Sequence, residues 1–272
     1  MKVFSRPRWE GIVFTDLDFS DHRISVFNAE PILNLQEYIE YIWFMKWDFG
    51  EQDGARCIRI PNPCTKMVAL QQKDKTFPPL VYGANTEAKF FTLRGNGATV
   101  GFDFKPGGLY PILGKSLHNW PVEGILAQQF FSGLPPPPQE IWTGLNLSKW
   151  ITEIQDLLFN MLKSSSENNY KQLLPLVDKA LKGAINNPEE MAQISETSLR
   201  SLQRIFQHEV GLSPRDLLRI ARFNEAIRKI SDNDFQSFAD IALESGFFDQ
   251  PHMTNEFQKL AATPPSKFKR YL

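Results

Sequence analysis

The chain contains 272 residues, of which 42% are hydrophobic and 12% aromatic, and its 30 Lys and Arg residues nearly balance 31 Asp and Glu residues. This composition is that of a folded globular protein long enough for two domains, and it excludes intrinsic disorder and collagen-like repeats. Because the sequence has no uninterrupted apolar run of about 18 residues, it predicts no membrane-spanning helix.

The termini, cysteines and charge give three further expectations. The first ten residues lack the apolar stretch and cleavage site of a secretory signal, so we expect a cytoplasmic protein. Cys57 and Cys64 are then expected to be reduced thiols buried as small apolar side chains. Residues 1–170 carry 16 basic and 18 acidic side chains, and residues 171–272 carry 14 and 13. Any basic surface must therefore come from the placement of residues on particular helices.

The segment from Pro31 to Phe104 has the pattern of short strands. Alternating runs are separated by Gly, Pro, Asn and Asp, which predicts an antiparallel sheet or barrel. The runs are Arg56–Ile60, Met67–Leu70, Phe90–Leu93 and Val100–Phe104. The stretch Pro31–Trp47 fits either a helix or a strand, and we interpret its later part, from Tyr41, as a strand.

The middle of the chain changes to helical spacing. Pro135–Pro138 is expected to form a stiff extended spacer. A helix is predicted over 148–163, and its apolar stripe suits either a dimer of helices or packing on its own β domain. The polar run Ser164–Asn169 follows as a linker. The predicted domains are a β-rich domain over 1–163, a linker over 164–170 and an all-helical domain over 171–272.

The remainder of the chain predicts helices only, with boundaries at Pro188, Gly211 and Ser213-Pro214. The predicted helices span 173–185, 189–195, 198–209, 214–230, 237–244 and 249–260. Two of the resulting units, 189–209 and 237–260, each pair a short helix with a longer one through a tight turn. This is a duplicated helix-turn-helix pattern, whose second helix fits the DNA major groove, about 12 Å wide. The connecting helix would span about 25 Å, so the two reading helices could enter successive grooves about 34 Å apart.

Four segments of this helical region carry a dense pattern in register. They are Ser198–Phe206, Gly211–Pro214, Asp240–Phe257 and Pro265–Lys269. The pattern covers about 190–270 and resembles the DNA-binding domain of the AraC/XylS family of bacterial transcription regulators. The resemblance implies a regulator that binds double-stranded promoter DNA.

The resemblance also assigns the candidate base-reading residues. They are Arg200, Gln203 and Arg204 in the first recognition helix, and Gln250, His252 and Asn255 in the second. Arg can pair with guanine and Asn or Gln with adenine, and Gln207 extends the first set to a stripe at i, i+3, i+4 and i+7. The sequence departs from the family pattern at three positions. Asn255 replaces an Arg, and Glu196 and Ala262 stand where Gly is usual, so the first unit is expected to bind DNA more strongly.

The β-rich region has a second resemblance, carried by five segments. They are Pro31–Leu33, Tyr41–Trp43, Arg59–Cys64, Tyr82–Ala84 and Gly101–Gly108. They resemble an uncharacterised N-terminal domain that is commonly fused to AraC-type DNA-binding domains. The wider family implies an α+β protein with a cupin-like barrel that binds a small-molecule effector and dimerises, and a regulator that contacts RNA polymerase. Candidate effector contacts are Trp43, Trp47 and Arg59, although both tryptophans would serve equally well as core.

Other kinds of chemistry find less support in the sequence. The alternative function is an enzyme or small-molecule carrier in the β domain, with DNA binding secondary or lost. Only four His residues occur, with no His-x-His pair, so we expect no metal site, no cofactor and no catalytic set. The turn Lys105–Gly108 fits either an anion-binding nest or, more simply, a structural turn.

Overall fold

The structure is a computed structural model that describes most of the chain. The described residues are 12–15, 23–50, 54–139, 141, 143–164, 170–232 and 235–271. Most of the predicted linker over 164–170 lies outside them. Within them, no helix is both long enough and apolar enough to cross a membrane.

The N-terminal region is β-rich, as predicted. Its described strands are β1 Ile12–Phe14, β2 Ile24–Ala29, β3 Ile39–Asp48, β4 Gly54–Arg59, β5 Thr65–Gln72, β6 Lys75–Tyr82, β7 Lys89–Arg94, β8 Asn96–Phe104 and β9 Ile125–Leu126. The four predicted runs fall in β4, β5, β7 and β8. The ambiguous stretch begins with a 3-10 turn at Leu33–Leu35 and continues as β3, which confirms the strand interpretation of its later part.

These strands form two antiparallel sheets. One sheet has six strands in the order β2-β3-β8-β5-β6-β9, and the other has three in the order β1-β4-β7. Strand β6 did not stand out in the sequence because it contains Pro78 and Pro79, which cannot donate ladder hydrogen bonds. The structure accommodates both prolines at an irregularity of the β5–β6 pairing, between Val68 and Leu70.

The two sheets face each other across an apolar cluster that draws on both. Trp43, Met45 and Trp47 point into it from β3, while Phe44 lies on the opposite face. Two glycines of β8 make room for the indoles. A Cβ atom at Gly97 would lie 2.2 Å from the Trp47 ring, and one at Gly101 would lie 2.3 Å from the Trp43 ring. Only glycine fits under rings packed this closely on the strand.

Among the described residues, one short helix lies between β8 and β9, and the other helices follow β9. They are α1 Tyr110–Leu113, α2 Leu147–Ser164, α3 Tyr170–Leu181, α4 Pro188–Ile194, α5 Leu199–Ile205, α6 Pro214–Asp232, α7 Phe238–Glu244, α8 Gln250–Ala261 and α9 Pro265–Phe268. Short 3-10 turns occupy Ala127–Gln129 and Lys269–Tyr271.

Helix α2 packs on the outer face of the six-stranded sheet. The Trp150 ring meets Phe102 edge-on at 6.1 Å between centroids, and its Nε1 donates to the Pro135 carbonyl at 3.1 Å. The side chains of Ile154 and Leu158 are also buried in the same core. Of the two interpretations of the apolar stripe, packing on its own β domain therefore accounts for these buried residues.

The bounds of two predicted helices were wrong. The helix predicted over 173–185 runs from Tyr170 to Leu181, and it ends early because Gly183 adopts a left-handed conformation with φ of 71°. The helix predicted over 198–209 is α-helical only to Ile205. Residues Phe206–Val210 continue as a π-helical turn that Gly211 closes.

The first helix-turn-helix unit docks against the β domain. The Leu117 backbone N–H donates to the His208 carbonyl at 2.8 Å, and the Tyr110 and His208 rings lie 5.2 Å apart. At the start of α3, Tyr170 packs on Tyr38 with 5.6 Å between ring centroids. One continuous apolar core therefore joins the β domain to α3, α5 and the start of α6.

The turn Lys105–Gly108 belongs to this junction. The Gly108 N–H donates to the Lys105 carbonyl at 2.7 Å, which makes the segment a closed turn. A Cβ atom at Gly107 would lie 3.1 Å from the Tyr170 ring. Of the two interpretations in the sequence analysis, the structural turn explains both observations.

Candidate DNA-binding surface

The first helix-turn-helix unit is built by two capped helices. Asn187 caps α4 by accepting the Glu190 N–H at 2.8 Å, with Pro188 in the first turn. Ser198 caps α5 by accepting the Ser201 N–H at 3.1 Å. Each cap satisfies an N–H that the helix itself leaves unpaired. The capping residues therefore fix where α4 and α5 begin.

Helix α5 presents a polar stripe to the outside. Arg200, Gln203 and Arg204 are exposed, whereas Leu202 and the following Phe206 are buried. Within the described part of the chain, neither arginine takes part in an ion pair. Two guanidinium groups and one amide therefore stand free on the helix that a helix-turn-helix unit offers to the major groove.

Gln207 is exposed but does not continue this stripe as an α-helical i+7 position. It lies in the π-helical turn Phe206–Val210, where the Gly211 N–H donates to the Phe206 carbonyl at 3.0 Å. The expected register is therefore corrected after Ile205. Gly211, with φ of 79°, permits this wider turn because it has no side chain to oppose the left-handed conformation.

The second unit repeats the same construction. Ser237 caps α7 by accepting the Asp240 N–H at 3.2 Å, and Asp249 caps α8 by accepting the His252 N–H at 2.7 Å. The predicted readers are all exposed on α8; they are Gln250, His252 and Asn255. The His252 Nδ1 accepts the Phe248 N–H at 3.3 Å, so only its Nε2 remains available to an external partner.

Helix α6 connects the two units through polar contacts as well as its apolar face. The Arg219 Nε donates to a carboxylate oxygen of Glu256, which is nearly buried on α8. The Lys229 ammonium lies 2.6 Å from Glu244 at the end of α7. These two pairs hold α7 and α8 against α6, the helix that follows the first unit.

The departures from the family pattern have a visible backbone consequence. Glu196 and Ala262 both adopt φ of 51°, the left-handed region in which glycine is favoured. Glu196 lies in the turn between α4 and α5, and Ala262 directly follows α8. Glu196 and Ala262 therefore adopt the backbone conformation that glycine would adopt more easily at these positions.

Sequence reasoning missed one exposed side chain on this surface. Phe248 is 85% exposed and directly precedes the Asp249 cap of α8. It lies between the helices predicted over 237–244 and 249–260 and was not among the predicted readers. Because an aromatic ring at the entrance of a reading helix can contact a thymine methyl group, its position is compatible with base contact. The sequence signal was a pair of consecutive Phe residues, of which Phe247 is buried in the core and Phe248 is not.

The predicted effector contacts lie in the β domain. Trp43 and Trp47 are almost fully buried between the sheets, and the Trp43 Nε1 donates to Asp103 at 2.7 Å. The Arg59 guanidinium lies 5.5 Å from the centre of the Tyr82 ring, and its Nη2 donates to a backbone carbonyl. Its Nε is buried with no hydrogen-bond partner among the described residues.

A buried ion pair completes this interior. The Lys66 ammonium lies 2.6 Å from the carboxylate of Asp103, and both residues are buried. Cys64, just before β5, is a buried thiol outside any disulfide, and burial raises its pKa. Cys57 is likewise buried and outside any disulfide, as expected. The described residues contain no group of three His, Cys, Asp or Glu side chains able to hold a metal ion.

Comparison with known families identifies the helical region. Residues 191–271 match a family model described as "Helix-turn-helix domain". The C-terminal region is an AraC-type helix-turn-helix domain. The β domain matches, over residues 28–123, a model described as "Domain of unknown function (DUF6597)".

Curated relatives of the chain are transcription regulators. The "Uncharacterized HTH-type transcriptional regulator YbfP" of Bacillus subtilis is 28% identical over 106 residues, which are 39% of this chain and 35% of that protein. The "HTH-type transcriptional regulator GlxA" of Rhizobium meliloti is 30% identical over 105 residues, 38% of this chain and 32% of that protein. The match thus spans about a third of the length of these relatives.

Solved structures with a similar arrangement include ToxT from Vibrio cholerae, with a TM-score of 0.41 and 12% identity. The match covers 92% of this chain and 98% of ToxT. The DNA-binding domain of AdpA, solved in complex with a target DNA, matches 36% of this chain and 89% of its own length, with a TM-score of 0.34 and 23% identity.

Proposed function

We propose that this protein is a sequence-specific DNA-binding transcription regulator whose AraC-type domain reads promoter DNA. The observation that carries the proposal is the exposed stripe of Arg200, Gln203 and Arg204 on α5. These side chains are held on the second helix of a capped helix-turn-helix unit. The arginines can pair with guanine O6 and N7, and the amide with adenine.

Both units take part in the proposed complex. Helix α5 enters one major groove, and α8 enters the next through Gln250, His252, Asn255 and Phe248. The 19-residue α6 spans about 28 Å, which suits two grooves about one DNA turn apart. The second unit binds more weakly because His252 uses one ring nitrogen in its own turn.

The β domain is proposed to bind a small-molecule effector that controls this reading. Trp43 and Trp47 would supply apolar walls, and Arg59 would contact a polar or anionic part of the effector through its unpartnered Nε. The hydrogen bond between Leu117 and His208 links the β domain to the first unit. An effector changes DNA binding if its affinity differs between two arrangements of this junction.

The remaining partners belong to the same proposal. A regulator of this kind acts in the cytoplasm, without a catalytic reaction of its own, and contacts RNA polymerase at the promoter. A homodimer would need a surface other than the buried face of α2, because Trp150 and Ile154 are already packed against the β domain.

Replacing Arg204 by Ala tests the proposal directly. We expect specific DNA to bind more weakly by about 1–3 kcal/mol, because one bidentate base contact is lost. The measurement is a fluorescence-anisotropy titration with a sequence that the wild-type protein selects from a random DNA pool.

The matched control for lost positive charge is Lys149→Ala. Lys149 is well exposed on α2, outside the AraC-type domain. This variant is expected to bind the selected DNA as the wild type does. Equal affinities of Arg204→Ala and wild-type protein would contradict the assignment of α5 as the reading helix.

A further inference from the structure

The AraC-type domain contains a cavity behind its first reading helix. The cavity has a volume of about 420 Å³ and lies between α3, the turn after α4 and the inner side of α5. Apolar walls come from Leu173 and Leu176 on α3 and from Leu202 and Ile205 on α5. Its size falls within the range of about 300–1,000 Å³ that is usual for small-molecule sites.

The lining of this α3–α5 cavity includes a buried carboxyl group. Glu209 is only 6% exposed, and its Oε2 is buried without a hydrogen-bond partner among the described residues. Burial raises the pKa of this carboxyl above its ordinary value. An unpartnered acid that faces a cavity is costly unless a ligand or a proton compensates it.

The charged residues that line the cavity are all acidic. Glu196, exposed at the rim, supplies a second carboxylate, and the residues that line the cavity include no Lys, Arg or His. The other lining residues are apolar or neutral, the neutral polar ones being Gln172, Ser195 and Thr197, so the two carboxylates make the cavity attract a cation and repel an anion. The polar groups nearby, Ser195 and Thr197, already hydrogen-bond to each other at 3.0 Å.

We propose that the α3–α5 cavity binds a small organic cation, an ammonium group attached to an apolar body. The ammonium donates to Glu209, and the apolar body lies against the four Leu and Ile side chains. This site is separate from the effector contacts proposed in the β domain, which are Trp43, Trp47 and Arg59.

Occupation of the cavity has a consequence for α5. Leu202 and Ile205 lie on the inner side of the helix whose outer side carries Arg200 and Arg204. A bound cation ties this helix to α3 and so changes the affinity for DNA. This consequence rests on the proposed DNA-binding function, whereas binding of the cation does not.

The test compares three ligands of similar shape by titration calorimetry on the full chain. They are 2-phenylethylammonium, the neutral 2-phenylethanol and the anionic 3-phenylpropionate. We expect saturable one-to-one binding of the ammonium compound, and at least tenfold weaker binding of the other two. Saturable binding that does not depend on the charged group, or an absence of saturable binding up to millimolar ammonium, would overturn the proposal.

Two variants locate the site. Glu209→Gln keeps the shape of the side chain and removes its charge, so we expect at least a tenfold loss of affinity for the ammonium compound. Leu176→Phe places a larger ring in the apolar wall against which the body of the ligand lies, leaves Glu209 in place and should also weaken binding. Circular dichroism and thermal melting confirm that each variant is folded. If both folded variants bind the ammonium compound as the wild type does, the cavity is not the site.

The DNA experiment keeps the two proposals apart. Binding of the ammonium compound by a chain that shows no specific DNA binding would leave this site in place and contradict the proposed function. Specific DNA binding by a chain that does not bind the ammonium compound would support the proposed function and contradict the cation site.

Discussion

Replacing Lys66 by Met is expected to lower the free energy of unfolding by about 3–5 kcal/mol. The substitution leaves the fully buried carboxylate of Asp103 without the ammonium group that lies 2.6 Å away. Removing one partner of a buried pair strands a charge in a medium of low polarity, which costs far more than the pair itself contributes. Only the hydrogen bond from the Trp43 indole remains on Asp103 among the contacts described above. Urea denaturation followed by tryptophan fluorescence measures the loss.

Two further variants separate this mechanism from a general loss of packing. The double variant K66M/D103N removes both charges, so most of the lost stability should return. The same substitution at Lys89 breaks an ion pair of nearly equal length, 2.7 Å to Glu123, whose groups are exposed. Lys89→Met should lower the free energy of unfolding far less than Lys66→Met does, because solvent screens an exposed pair. An equal loss in Lys66→Met and the double variant would contradict the account.

Replacing Arg219 by Met is the second large expected effect, a loss of about 3 kcal/mol at neutral pH. Glu256 is nearly buried on α8, and Arg219 of α6 is its principal partner. Lys259 remains 3.3 Å from the carboxylate in the variant but is well exposed, so it compensates little. The cost is at the lower end of the range for buried pairs because Arg219 is itself about a quarter exposed.

The same variant has a defined pH dependence. Burial alone would raise the pKa of Glu256, but the hydrogen bonds and charges of Arg219 and, to a smaller extent, Lys259 outweigh it and hold the pKa below the ordinary 4.5. A carboxyl whose pKa is lower in the folded than in the unfolded chain adds stability above its unfolded pKa, and this contribution is lost as pH falls. The difference between wild type and Arg219→Met should therefore be largest above pH 4.5 and shrink below it.

A matched control lies on the same helix. Arg228 pairs with Glu225 at 2.6 Å and with Asp232 at 3.0 Å, and more than half of its side chain is exposed. Arg228→Met is expected to change stability by less than about 1 kcal/mol at any pH. If Arg228→Met and Arg219→Met lower the free energy of unfolding equally, burial does not explain the contribution of the Arg219–Glu256 pair to stability.

The parts of the fold that follow local rules were predictable from the sequence. Ser237 and Asp249 begin the helices predicted over 237–244 and 249–260, and both accept the N–H groups that the capping rule requires. The predicted end of the helix over 173–185 failed because Gly183 adopts a positive φ that residue spacing alone does not reveal. Gly211 was predicted as a boundary and does end its helical segment, but the π-helical turn before it was not predicted.

Long-range pairing explains most of what the sequence did not show. Lys66 and Asp103 are 37 positions apart and meet only because β5 and β8 are neighbours in the sheet. The two prolines of β6 argued against a strand, and only the irregular pairing with β5 makes room for them.

The exposure of the candidate readers on α5 could be predicted from the sequence, whereas that of Phe248, next to α8, could not. The exposed stripe of Arg200, Gln203 and Arg204 follows from helical periodicity, and the structure leaves these side chains free as expected. The exposure of Phe248 depends on which of two adjacent phenylalanines enters the core. The partnerless state of Glu209 depends on how α3 packs against α5, which no local pattern specifies.

The central claim is that the AraC-type domain reads a DNA sequence, and a binding assay across a salt series tests it most directly. The purified full chain is titrated with the DNA upstream of its own gene and with a scrambled sequence of equal length, between about 50 and 200 mM salt. The account predicts affinity at least about 10³-fold higher for the upstream DNA, with a steep decrease as salt rises. Equal and weak binding to both sequences at every salt concentration would contradict it.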